Sequence, residues 1–394
     1  MKIQFSILFL LCRMAHAGAG DQNCEANTGK DSVLVHDCRF QPGELWLDDH
    51  GVHINAHGGG ILFYNGLYYW FGEHKIEGTE GNRANVGVHC YSSNNLCNWK
   101  DEGICMKVSR DTCSPITSGC IIERPKVIYH PKSGKFVMWF HHELKGQGYR
   151  AAMTGLAVSD KVTGPYTYQK SLRPNAGYWP ENFSEEQKRD TTNPDHFEKG
   201  TGEWETAIID GLYVRRDFQG GQMARDMTLY IDDDGKAYHI HASEENQTLH
   251  ISELTDDYQG FSGRYIRAMA GGHNEAPSLF KHKEKYYMIT SGCTGWAPNA
   301  ARLLVADSIM GEWTYLGNPA RGDKAEITFD SQSTFIIPVQ GHPGAFIFMA
   351  DRWRPDNAID GRYVWLPVLF NDLDEPYLEW MDEWDLGNIH HPAF

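Results

Sequence analysis

Along most of the chain, apolar residues alternate with polar ones for a few positions, break at a short polar turn, and resume on aromatics. Ile61-Leu62-Phe63-Tyr64, Asn65-Gly66, then Leu67-Tyr68-Tyr69-Trp70 is the first copy of this pattern. Val127-Ile128-Tyr129-His130 with Gly134-Lys135-Phe136-Val137-Met138-Trp139 is the second. Thr228-Leu229-Tyr230-Ile231, Asp232-Asp233-Asp234-Gly235, then Ala237-Tyr238-His239-Ile240 is the third. Ser278-Leu279-Phe280 with Lys285-Tyr286-Tyr287-Met288-Ile289 is the fourth, and Thr334-Phe335-Ile336-Ile337 with Ala345-Phe346-Ile347-Phe348-Met349 the fifth. Period-two alternation around Gly and Asn turns reads as a hairpin each time. A second hairpin follows several copies. Residues 155–160 and 164–168 recur in kind as residues 303–307 and 311–315.

Two hairpins make a four-stranded unit. Five such units with almost no helical periodicity predict an all-β fold, a five-bladed β-propeller of four-stranded antiparallel blades. A two-sheet sandwich would not explain a repeated four-strand unit. The repeats are evenly spaced except between the second and third. There residues 176–221 are polar and irregular in pattern, and they read as a long surface insertion rather than a domain. No Ser- or Pro-rich linker interrupts the chain, so residues 18–394 are expected to form a single propeller domain.

The amino terminus sets the expected compartment. Lys2, an apolar run from Ile3 to Cys12, and Ala15-His16-Ala17 describe a signal peptide over residues 1–17, although Arg13 sits late in it. The run is too short to span a bilayer, and no later stretch approaches about 18 uninterrupted apolar residues. The product is expected to be secreted and extracellular. Of nine cysteines, Cys12 leaves with the signal. Cys24, Cys38, Cys90, Cys97, Cys105, Cys113, Cys120 and Cys293 remain, an even number that suggests disulfides in a secreted chain. No CxxC pair occurs, which disfavours zinc. Asn182-Phe183-Ser184 and Asn246-Gln247-Thr248 are glycosylation sequons.

Charge removes further classes. Thirty-six Lys and Arg against 52 Asp and Glu give −16 at neutral pH, so neither nucleic acid nor an anionic membrane is an expected partner. A monomer is expected. Twelve Trp, 19 Tyr and 18 Phe beside 40 Gly suit short strands and turns. They also suit stacking on sugar rings, so a polysaccharide is the expected partner.

In a propeller, the first strand of each blade lines the central channel, and the residues just before it meet at one end of the axis. Those positions hold His57-Gly58-Gly59-Gly60, Glu123-Arg124-Pro125, Arg225-Asp226-Met227, Glu275-Ala276-Pro277 and Gln332-Ser333-Thr334. Three of the five carry a carboxylate and a fourth an amide. Converging carboxylates raise one another's pKa, as a general acid near neutrality requires. Two readings compete. Glu123 with Arg124, or Asp226 with Arg225, would make a local ion pair, and the same oxygens would make a calcium site. Asp232-Asp233-Asp234-Gly235 reads as a solvated hairpin turn, since it lacks the other ligands of an EF-hand. His141-His142 and His390-His391 resemble metal ligands only superficially. No metal and no cofactor are expected.

In combination and order, Ala56-His57-Gly58-Gly59-Gly60, Ile122-Glu123-Arg124-Pro125-Lys126-Val127, Ala224-Arg225-Asp226-Met227-Thr228-Leu229, Asn274-Glu275-Ala276-Pro277, Thr290-Ser291-Gly292-Cys293-Thr294-Gly295-Trp296 and Ser331-Gln332-Ser333 resemble glycoside hydrolase family 43. Within it they resemble the exo-β-1,3-galactanase branch, over about Ile54 to Leu386. The resemblance implies a five-bladed propeller and an inverting glycosidase acting on β-1,3-galactan. Glu275 falls at the general-acid position and Asp226 at the carboxylate that tunes and orients it. Most of the wider family has an aspartate base just before the first-blade strand. Here His57-Gly58-Gly59-Gly60 offers none, a departure shared by the galactanase branch, where an amide at the Gln332 position holds the attacking water, in one account as its imidic-acid tautomer. Glu123 would share that task or bind a sugar hydroxyl. Glu73, Tyr149, Asn246 and Thr294 fall where relatives touch the terminal galactose, and Trp296 is a stacking candidate whose alternative is a core indole. If Asn246 lines the site it should carry no glycan. The rival specificities are an α-L-arabinofuranosidase or a β-galactofuranosidase. A rival of another class is a non-catalytic glycan-binding propeller, favoured by the missing aspartate and opposed by Glu275, Asp226 and Gln332.

Overall fold

The structure is a computed structural model that describes residues 38–80, 83 and 86–389. The signal segment, Cys24 and His390-His391 lie outside the described residues. Four sheets are four-stranded antiparallel meanders in chain order. The first runs through His57–Tyr64, Leu67–Glu73, Gly87–Ser93 and Lys100–Lys107. The second runs through Ile121–His130, Lys135–Glu143, Met153–Ser159 and Thr167–Leu172. The third comprises Met227–Ile231, Ala237–Ser243, Thr248–Leu254 and Phe261–Ala268. The fourth comprises Glu275–His282, Lys285–Ser291, Arg302–Ala306 and Thr314–Gly317.

The expectation of five uniform four-stranded blades is corrected at this point. Six sheets of three or four strands form, and the last two have three strands each. The fifth is Gln332–Pro338, Phe346–Arg352 and Arg362–Pro367. After it the chain makes only the short strands Leu369–Phe370 and Pro376–Glu379, which pair with each other. Pro376–Glu379 then takes Ala320–Arg321 as a parallel neighbour, drawn from the connection between the fourth and fifth sheets. Alternation revealed the long hairpins. Strands of two and four residues are too short to carry it. The first strands of the five antiparallel sheets touch one another in a closed ring, and the sixth sheet leans on Arg362–Pro367 outside that ring.

The two ends of the described chain meet. Arg39–Phe40 pairs with Trp384–Asp385, and the Phe40 ring stacks on Trp384 at 4.1 Å. Beneath them Trp70, Trp99, Tyr363 and Trp365 form the largest aromatic cluster. Cys38 is disulfide-bonded to Cys97, 59 residues away. The even cysteine count overstated the pairing: Cys90, Cys105, Cys113, Cys120 and Cys293 are free thiols. Cys90, Cys105 and Cys120 are buried as small apolar side chains. A Cys38→Ser/Cys97→Ser protein should lose about 2–4 kcal/mol, because cross-linking a loop this long restricts the unfolded chain. The check is a lower thermal midpoint with turnover retained.

Residues 176–221 are not an irregular loop. They hold helices Glu185–Arg189, Gly202–Ile209 and Leu212–Asp217. A capping box of Ser184 and Gln187 starts the first, and Trp204, Ile208, Leu212 and Tyr213 form a small core of their own. Five to eight residues give barely two turns, too few for a 3.6-residue period to show. Among the described residues no helix is long and apolar enough to cross a membrane.

Candidate active site

The site is built by one device repeated. In four sheets the first strand slips register within its first three residues: after His57, Glu123, Glu275 and Ser333. Gly58, Arg124 and Ala276 sit in the slips with φ of 57°, 53° and 51°. Such a bulge bends the strand and re-aims the side chain before it. Pro125 and Pro277 follow directly, where no ladder N–H is needed. Of the residues at these strand starts, Glu123, Glu275 and Gln332 line one cavity of about 380 Å³, and His57 does not. Glu73, Glu123, Tyr149, Asp226, Asn246, Glu275, Trp296 and Gln332 all line it. A larger cavity of about 520 Å³ lies further along the same strands, but its walls are mostly Ile, Leu, Val and Phe. The convergent polar chemistry is in the smaller one.

Glu275 is the group whose proton is most useful. Burial raises its pKa to about 7, nearby Asp226 adds to the rise, and Arg124 opposes it. Its Oε1 accepts a 2.6 Å hydrogen bond from Asn246 Nδ2. Asp226 Oδ2 takes Arg124 Nη2 at 2.9 Å and the Ala276 N–H at 3.2 Å. Glu123 behaves oppositely to Glu275. Burial favours its neutral form, yet the His141 hydrogen bond and charge, helped by Lys75 and Tyr149, pull it down to about 2. His141 Nδ1 lies 2.7 Å from Glu123 Oε2 and its Nε2 3.0 Å from Glu143. Burial opposes its charge, but these two carboxylates raise its pKa to about 9. Tyr149 donates its hydroxyl to Glu123 Oε1 at 2.7 Å. Glu73 is almost fully buried, paired with Lys75, and accepts the Arg124 N–H at 2.9 Å. Its pKa is raised by burial, against the pull of Lys75.

Gln332 is held at both ends of its amide. Its Oε1 accepts Arg124 Nη2 at 2.6 Å and Trp353 Nε1 at 2.9 Å, and its Nε2 donates to Ser291 Oγ at 2.9 Å. Two N–H donors occupy both lone pairs of Oε1, so the group rests as an ordinary amide, with no room for a proton on that oxygen.

Neither local ion pair forms. Consecutive strand residues face opposite ways, and Arg124 reaches across the channel to Asp226 while Arg225 binds Glu245 at 2.9 Å. Glu123, His141 and Asp226 offer donor atoms within 4.8 Å of one another. Both His141 nitrogens are engaged, and a guanidinium stands on Asp226, so a cation would have to displace existing partners. Thr294 is not part of the cavity lining. Its hydroxyl donates to Ala297 O and accepts Asn299 Nδ2, both at 2.6 Å. Trp296 is no core indole. It is 43% exposed and stands edge-on to Trp353 at 5.7 Å.

Trp353, Arg124 and His141 are the site residues that sequence reasoning missed. A signal for His141 existed in the ladder. His141 pairs with Glu123, Glu73 with His57, Ser291 with Glu275, and Asp351 with Gln332. The end of each second strand stands beside the bulged residue of the first. Asn246 places its amide nitrogen on Glu275 inside the cavity, so expression in a glycosylating host should leave that sequon unoccupied. Peptide mass mapping of residues 246–248 checks this.

One carboxyl that holds a proton near pH 7, beside a carboxylate ionised far below it, is the equipment of an acid–base hydrolase. The family described as glycosyl hydrolases family 43 matches residues 192–316. A family-43 β-1,3-galactosidase solved with galactodeoxynojirimycin is 53% identical, over 88% of this chain and 100% of that one, with a TM-score of 0.86. An exo-β-1,3-galactanase of Clostridium thermocellum is 34% identical, over 88% of this chain and 66% of its own, at 0.71. One of Phanerochaete chrysosporium is 30% identical, over 88% and 68%, at 0.70. No curated protein matches the chain in sequence. The chain belongs to glycoside hydrolase family 43.

Proposed function

We propose that the protein is an exo-acting β-1,3-galactosidase that removes terminal galactose from β-1,3-galactan with inversion. The observation that carries this reading is Glu275, a half-buried carboxyl with a pKa near 7 in a cavity shared with Asp226, Gln332 and Glu123. About 380 Å³ falls at the small end of ligand pockets, about 300–1,000 Å³, and suits one terminal sugar rather than a length of chain. The 53% identical relative, a β-1,3-galactosidase, supports galactose as that sugar.

In this reading Glu275 protonates the departing glycosidic oxygen. Asp226, fixed by Arg124, keeps the acid's proton on near neutrality through its negative charge. Water attacks from the opposite face of the ring, positioned by Gln332. Glu123, ionised and already accepting from His141 and Tyr149, is suited to accept a sugar hydroxyl and is a weak proton acceptor. Secretion rests on residues 1–17 and belongs to the same proposal. So does galactan as the natural polymer.

The test is the anomer first released from the methyl glycoside of β-1,3-galactobiose, whose leaving sugar has a blocked anomeric carbon, read by proton NMR. α-Galactose is expected. β-Galactose, or turnover confined to aryl α-L-arabinofuranosides, would overturn the reading. The pH dependence follows in sign. Glu275 must be protonated to act, so kcat/KM should hold below about pH 7 and fall as pH rises through it.

A further inference from the structure

Between the second and third strands of the third sheet the chain makes an unusual turn. Glu244, Glu245 and Asn246 all lie in the left-handed region, with φ of 53°, 59° and 65°. That region is unfavourable for side chains with a Cβ, and it persists where the surroundings enforce it. Here the enforcement comes from side chains, two of them on the sheet's own third and fourth strands, His250 and Arg267, and from the insertion that Arg267 grips. Glu244 is completely buried. Its two oxygens take Arg267 Nε and Nη2, both at 2.8 Å, and His250 Nε2 lies 2.8 Å from Oε1. Arg267 spends its remaining donors on the insertion. Nη2 reaches Ile208 O at 2.7 Å and Nη1 reaches Ile209 O at 2.9 Å, the closing carbonyls of helix Gly202–Ile209. Glu245 makes a second tie, to Arg216 of helix Leu212–Asp217 at 3.2 Å and to Arg225 of the cavity wall at 2.9 Å. The last of the three left-handed residues is Asn246, whose amide lies on Glu275.

We propose that the helical insertion is a positioning device for Glu275: through Arg267 on Glu244, and Arg216 on Glu245, it holds the strained turn that keeps the Asn246 amide on the acid. This rests on the reading of Glu275 as the general acid. The device works on the proton as well as on geometry. An N–H donated to a carboxyl favours its ionised form, so loss of the Asn246 contact should raise the acid's pKa. The charged and titratable groups facing Glu275, namely Asp226, Arg124, Glu123 and Cys293, stay in place, so the direction is set by the lost amide.

The experiment compares wild type, Glu244→Gln, Glu245→Gln and Glu275→Gln on β-1,3-galactobiose and on a dinitrophenyl β-galactoside, whose leaving group needs little protonation. Glu244→Gln should lower kcat on galactobiose about tenfold with KM within about twofold, move the alkaline limb up by about one pH unit, and spare the dinitrophenyl substrate. Glu245→Gln, at a half-exposed position, should do the same by about threefold. If Glu244→Gln gives no cooperative thermal transition, Glu245→Gln decides. Wild-type turnover and an unmoved alkaline limb in the folded variants overturn the proposal, as does a loss of turnover on both substrates with the limb unmoved. Glu275→Gln separates the two levels. If its alkaline limb persists, Glu275 is not the acid and the proposal falls with that reading. If the limb vanishes there, the acid stands and the Glu244 and Glu245 variants alone judge the insertion.

Discussion

Glu275→Gln should abolish release of galactose from β-1,3-galactobiose, lowering kcat by about 10²–10⁴-fold. The substitution keeps the volume and the Asn246 contact geometry but leaves no acidic proton for the departing oxygen. Galactose leaves behind a sugar alkoxide, a poor leaving group, so the lost proton is felt in full. A dinitrophenyl galactoside leaves as a stabilised phenolate and should be hurt far less. The variant should fold normally. It replaces a carboxyl that burial and Asp226 already hold towards its neutral form near pH 7, so no uncompensated charge is created. Near-wild-type hydrolysis of galactobiose would remove Glu275 from the acid's role.

The second large effect is expected at Gln332. Gln332→Ala removes the acceptor shared by Arg124 and Trp353. Turnover should drop by about 10²-fold or more, because the attacking water loses its seat, while galactose-terminated ligand still binds. Gln332→Glu is the sharper case. A carboxylate would be the better proton acceptor, so if basicity alone were wanting, activity would hold or rise. The structure argues for impairment. A new anion would compete with Asp226 for Arg124, the group that restrains the acid's pKa, and would itself push that pKa higher. We expect lower kcat and an alkaline limb displaced upward. Undiminished turnover in both variants would rule out an amide-assisted displacement.

Much of this site was legible because the repeat carries phase. Once hairpins were aligned, the residue before each first strand was known, and Glu123, Asp226, Glu275 and Gln332 came from that alignment. What alignment could not give was reach. Arg124 looked like a neighbour for Glu123, and only the left-handed bulge at Arg124 sends its guanidinium across to Asp226 and Gln332. Trp353 stood outside every motif because its position depends on the second-strand end of a shortened sheet. Thr294 sat in a motif that does reach the cavity, at Trp296, yet its hydroxyl is consumed within its own loop. The sixth sheet escaped notice because its strands are two to four residues long, and the insertion's helices because each is under three turns. Each was too short to write a period into the sequence.

Gly58, Gly59 and Gly60, where the first sheet offers no carboxylate, leave little room for one. A Cβ at Gly58 would collide with Glu73 Oε1, and the backbone there has φ of +57°. One at Gly59 would strike the Phe71 carbonyl, and one at Gly60 the methylenes of Lys126, whose ammonium bonds Gly58 O at 2.9 Å. Neighbours on two sheets fill this corner. An aspartate at any of the three positions would have to displace a neighbour, and at Gly59 that neighbour is a backbone carbonyl. Packing therefore shuts a carboxylate base out of this corner, and the polar group at the matching strand start of the fifth sheet is the amide of Gln332.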